Sequence, residues 1–163
     1  MTGSGQGKTI RIIGLGNELR GDDAVGLLAA RRIRGRVGDR TEVIEAEMAG
    51  LEIVELMEGA RAVILIDAAR SGQAPGSIHR LDASVSPIGS MVFPHSSHAI
   101  NAVDALELAR TLGTLPPTVI VYGIEAGDTE TGHPLSLQVA RALDDVVERI
   151  LQESETIACT NSI

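Results

Sequence analysis

Two adjacent acids, Asp22 and Asp23, follow the glycine-rich stretch Gly14-Leu15-Gly16-Asn17-Glu18-Leu19-Arg20-Gly21, and a third, Asp67, ends the apolar run Ala62-Val63-Ile64-Leu65-Ile66. His98 stands further along, at the end of a segment rich in Ser and Pro. Carboxylate oxygens and an imidazole nitrogen suit a borderline divalent cation such as nickel, zinc or manganese, and three protein ligands leave positions for water or substrate. A dinucleotide-binding turn also begins with glycines between strand and helix, but it needs a third glycine where Leu19 stands. Two carboxylates at the helix start would also repel a pyrophosphate. Acidic residues there commonly cap the helix, so the pair is expected to divide its tasks, with Asp22 the candidate N-cap. His95, three residues before His98, is a secondary candidate ligand.

These groups must be positioned by the elements around them, and the chain alternates strand and helix patterns throughout. Strands are expected at 9–14, 41–46, 62–66, 77–81 and 118–122, the fourth at an edge or antiparallel because it is short and polar. Helices are expected over roughly 23–35, 51–57 and 99–112, with a last one capped by Ser136 and carrying Val139, Leu143, Val146, Val147, Ile150 and Leu151 on one face. The segment 82–97 reads as a long loop. The pattern predicts an α/β fold, a single domain with a mostly parallel twisted sheet of about five strands and helices on both faces. In such sheets, sites gather beyond the carboxyl ends of the strands, where Asp22, Asp23, Asp67 and His98 all fall. Residues 1–8 are expected to form a flexible N-terminus, 9–152 the domain and 153–163 a disordered tail, since periodicity fades from Glu153 onward.

Composition narrows the partners. The chain has 163 residues, enough for one well-buried core, and its formal charge of −8 disfavours DNA, RNA and anionic membrane surfaces. With one Phe, one Tyr and no Trp it lacks the aromatics that stack on bases. Its single cysteine, Cys159, cannot close an internal disulfide, and no signal-peptide pattern precedes Thr9. A cytoplasmic monomer is expected, with no nucleic-acid or membrane partner. No serine lies in a Gly-x-Ser-x-Gly elbow, and Cys159 has no neighbouring histidine, so serine and cysteine nucleophiles are excluded.

The motifs Gly14-Leu15-Gly16-Asn17, Gly21-Asp22-Asp23, Ala49-Gly50-Leu51, Ile66-Asp67-Ala68 and Ser97-His98 together resemble the maturation endopeptidases of nickel-iron hydrogenases. The likeness covers about residues 10–151, including Ser71-Gly72, Pro75-Gly76 and Val121-Tyr122-Gly123-Ile124-Glu125. It implies that Asp23, Asp67 and His98 bind a metal. It also implies that the chain removes a short C-terminal extension from a hydrogenase large-subunit precursor once nickel has been inserted, with that nickel as the recognition element. Where many members carry a Gly-Gly-Thr-like stretch, this chain has Ala46-Glu47-Met48, resembling a subset with an acid there, so Glu47 is a further secondary candidate.

Peptide hydrolysis needs an activated water, a proton donor and stabilisation of the oxyanion. One route uses the metal as Lewis acid and Asp23 or Asp67 as base. In another, Asp23, Asp67 and His98 only dock nickel. An aspartic dyad is a third route, although the usual Asp-Thr/Ser-Gly loops are missing. Outside catalysis, the same ligands fit a nickel- or precursor-binding chaperone.

Overall fold

The computed structural model describes residues 10–88 and 102–160. His95, His98 and the N-terminal stretch 1–8 lie outside the described residues. Strands β1 (Ile10–Gly16), β2 (Thr41–Glu47), β3 (Ala62–Ala69), β4 (Ile78–Asp82) and β5 (Thr118–Glu125) form one sheet in the order β2-β1-β3-β5-β4. All neighbours are parallel except β4, which runs antiparallel to β5 at the edge. Helices α1 (Val25–Ile33), α2 (Glu52–Met57), α3 (Ala102–Leu112) and α4 (Leu137–Thr160) cover it.

Alternation along the strands supplies two cores. Ile12, Ile64, Ile66, Ile120, Tyr122 and Ile124 face α1 and α4, while Ile13, Leu15, Val63, Leu65, Val119 and Val121 face α2 and α3. β3, with neighbours on both sides, is apolar on both faces, as central parallel strands require. Each fully buried Ile or Leu, such as Ile64 and Leu65, contributes about 1.5–3 kcal/mol. β1 lies between β2 and β3, so the chain leaves β1 in one direction for β2 and then crosses back for β3. The strand order reverses there, which opens a crevice beyond the carboxyl ends of β1 and β3.

Two expectations are corrected. The first helix does not begin at Asp23: a 3-10 turn, Gly21–Ala24, precedes α1 and contains both acids. The tail is not disordered from Glu153, because α4 continues to Thr160. The reason is tertiary. Glu153 accepts hydrogen bonds from Arg80 on β4, at 3.1 Å and 3.0 Å from Nε, and from the Tyr122 hydroxyl on β5, while Ser154 is buried and Ile157 packs on the core. These contacts give the last turns a face that sequence periodicity alone does not reveal. None of the described helices is long and apolar enough to cross a membrane.

Candidate functional site

The loop after β1 is folded by close approach. At Gly16, φ is +142° and a Cβ would lie 2.0 Å from the Asp23 carbonyl oxygen, so only glycine fits. The Asn17 N–H donates to that same carbonyl at 3.2 Å, and the Asp23 N–H donates to Arg20 O at 3.0 Å, closing the loop on itself. Gly26 then lets α1 touch the ends of two strands at once, since a Cβ there would sit 2.3 Å from the carbonyl oxygens of both Leu15 and Ile66. The helix is thereby seated across the β1/β3 crevice, and Asp23, two residues before it, is brought to Asp67 on β3.

The two carboxyls feel each other. Burial, and then the negative charge of Asp23, push Asp67 up to about 7, opposed by the Ala68 N–H, which donates to Asp67 Oδ1 at 2.8 Å. Asp23 is also raised by burial, but the nearby cations Arg20 and Arg70 and the Asn17 N–H work against this. The coupling therefore falls on Asp67: it holds the proton first, and Asp23 keeps its charge beside two arginines. Both residues retain partial solvent contact. A pair of half-buried carboxyls that repel is relieved by a cation placed between them, and their oxygens are suitable donors for a divalent metal.

Asp22 does something else. It is fully buried, and its carboxylate accepts four bonds: from the N–H groups of Gly127 at 2.8 Å, Asp128 at 2.9 Å and Ser136 at 2.7 Å, and from the Ser136 hydroxyl at 2.8 Å. The expected N-cap role is corrected, as neither the 3-10 turn nor α1 has a side-chain cap. Ser136 stands just before α4, but its hydroxyl donates to Asp22. Asp22 thus ties the site loop to the start of α4. Its neighbour points to the crevice because consecutive residues of a tight turn cannot share a direction.

Glu47 ends β2, one strand further out, paired in register with Gly16. It is exposed and accepts the Glu18 N–H at 3.2 Å, so it flanks the site loop.

Sequence reasoning passed over a second cluster at the same end of the sheet. Glu125, 2% exposed, accepts the N–H groups of Ser71 at 2.7 Å and Gly72 at 3.0 Å, the Ser71 hydroxyl at 2.9 Å and His79 Nε2 at 3.1 Å. Burial opposes its charge, yet these donors, led by Ser71 and His79, hold the carboxyl below its usual range. The available signal was the one used for Asp67, an acid ending a buried apolar run.

Comparison with known proteins bears on the fold and the family. The family model for hydrogenase maturation proteases (HycI) matches residues 28–153. The hydrogenase expression/formation protein HupD of Bradyrhizobium diazoefficiens is 26% identical over 165 residues, covering 97% of this chain and 86% of that protein. Among solved structures, the hydrogenase maturating endopeptidase HybD from E. coli superposes with a TM-score of 0.78 at 23% identity, covering 90% of this chain and 92% of its own. The maturation protease HycI from Thermococcus kodakarensis gives 0.73 at 21% identity, covering 93% and 95%. The structures share the fold, and the family model, spanning most of the domain and the strand that bears Asp67, carries the assignment: the chain belongs to the hydrogenase maturation protease family.

Proposed function

We propose that the chain is an endopeptidase that removes the C-terminal extension of a nickel-iron hydrogenase large-subunit precursor after nickel insertion, recognising the nickel that the precursor carries. The observation that supports this best is the pair Asp23 and Asp67 at the strand-order reversal, partly open to solvent and mutually repelling. Two such carboxyls would hold a metal presented by a substrate, with His98 as the third ligand that the family likeness implies. Nickel seated there would supply a Lewis acid near the scissile carbonyl. Asp23, kept charged beside Arg20 and Arg70, can accept a proton from water. Asp67, raised to about 7 by burial and the charge of Asp23, would release its proton on ligating the nickel, and the proton that Asp23 takes from water would pass to the departing amine. The chain acts as a monomer in the cytoplasm on this reading.

The test is incubation of the purified protein with nickel-loaded and nickel-free precursor, followed by intact-mass measurement. Loss of the extension only from the nickel-loaded form is expected. Equal cleavage of both forms would overturn the role of nickel. Stable complex formation with no mass change would replace the peptidase by a precursor-binding chaperone.

A further inference from the structure

Two cations stand beside Asp23 with no acid matched to them. Arginines elsewhere in the chain are mostly paired with carboxylates, as Arg31 is with Glu45 at 2.8 Å, Arg36 with Glu148 at 2.9 Å and Arg149 with Asp145 at 2.8 Å. Arg20 and Arg70 are exposed and act on the charge of Asp23, yet neither forms an ion pair with a carboxylate among the described residues, Asp23 included. With 22 acids against 14 bases the chain does not lack carboxylates to pair with them. Both guanidinium groups are thus left free for an anion brought from outside.

Different elements bring the two together. Arg70 follows β3 directly, and its Nη2 donates to the Thr129 hydroxyl. Thr129 is in turn packed on the site loop: a Cβ at Gly21 would lie 2.4 Å from Asp128 O and 3.5 Å from Thr129 Cα. Gly21 adjoins Arg20, whose N–H donates to Asn17 O at 3.3 Å and whose carbonyl accepts the Asp23 N–H at 3.0 Å. Thr129 therefore holds the Arg70 head group against the loop that carries Arg20, and Asp22 fixes this contact by accepting the Asp128 N–H at 2.9 Å. A guanidinium has five N–H donors, and the bond to Thr129 uses one of those on Arg70.

Both arginines stand more than 4 Å from the Asp23 oxygens but within the reach of that charge. Interactions between exposed charges fade over about 8 Å, and an extended peptide advances about 3.3 Å per residue. A peptide whose scissile bond lies at Asp23 and Asp67 therefore offers these arginines a side chain within about three residues of that bond. Forked, planar guanidinium groups match a carboxylate there. We propose that Arg20 and Arg70 are specificity-determining residues that receive a carboxylate side chain of the precursor close to the scissile bond. This rests on the peptidase reading above.

Nickel-loaded precursors carrying Glu, Gln or Lys, one position at a time, up to about three residues either side of the scissile bond test this. Product masses locate the bond, and rates are referred to the nickel content of each precursor. At one of these positions wild type should cleave the Glu precursor with kcat/KM about 10-fold above the Gln precursor, with Lys lower still. In Arg20→Gln/Arg70→Gln the Glu and Gln precursors should differ by less than about 2-fold, and Arg70→Glu should favour the Lys precursor. If the arginines serve only to keep Asp23 charged, their loss slows every precursor by one factor and leaves the wild-type preference intact, which overturns the proposal. A wild type indifferent to Glu, Gln and Lys at every position overturns it too. Where the double variant is too slow to measure, Arg70→Glu decides, and a continued preference for Glu sinks the idea. A wild type that cleaves no precursor would sink the peptidase reading itself, whereas an active wild type without preference sinks only this inference.

Discussion

Asp22 and Ser136 are 114 residues apart in the chain and joined twice, the Ser136 N–H donating to Asp22 Oδ1 at 2.7 Å and its hydroxyl to Oδ2 at 2.8 Å. The loop that displays Asp23 is therefore clamped to the start of α4. Structure and candidate chemistry sit on neighbouring residues, which makes them separable by mutation.

Asp22→Ala should cost about 3–5 kcal/mol, because it removes a buried charge and leaves three N–H groups and a hydroxyl without their acceptor. This exceeds the roughly 1 kcal/mol of an ordinary helix cap. Asp23→Ala should change stability by less than about 1 kcal/mol while abolishing nickel binding and precursor cleavage. Urea unfolding and nickel titration of both variants check the split; a mild loss of stability in Asp22→Ala would contradict the clamp.

Asp67 should make stability depend on pH with an unusual sign. Its folded pKa of about 7 stands above the ordinary carboxyl value of about 3.9, so the folded protein holds a proton there that the unfolded chain releases. The stabilisation is fully present below about pH 4 and is lost as pH rises through about 7. Asp67→Asn, neutral at every pH, should match wild type near pH 4 and exceed it by about 2–4 kcal/mol at pH 8. Melting curves across that range decide the matter, and a gap that does not widen with pH would show that the Asp67 carboxyl is not raised in the folded protein.

Glu153 should anchor the end of α4. Its carboxyl lies below the usual range despite burial, held there by Arg80 and the Tyr122 hydroxyl, and burial with Glu153 pushes Tyr122 up to about 12. Glu153→Ala should cost about 1–3 kcal/mol and speed amide exchange in the last turns of α4. Wild-type exchange rates in those turns would argue that the helix is self-supporting.

The sequence by itself determined the fold class, because alternating apolar runs and helical periodicity leave a mostly parallel sheet as the economical way to bury them. It also marked Asp67, since an acid that ends a buried apolar run is conspicuous in one dimension. Whether Asp22 or Asp23 faced the crevice was settled only by tertiary structure, since the answer depends on the Gly127–Ser136 segment reaching back over Gly21 and Asp22 from far along the chain. The same holds for the extension of α4 past Glu153, which requires Arg80 and Tyr122 from two other strands. Strand register is of the same kind: it sets Asp67 beside Gly123 and Gly123 beside His79, and register arises from pairing across the sheet rather than from the order of residues along the chain.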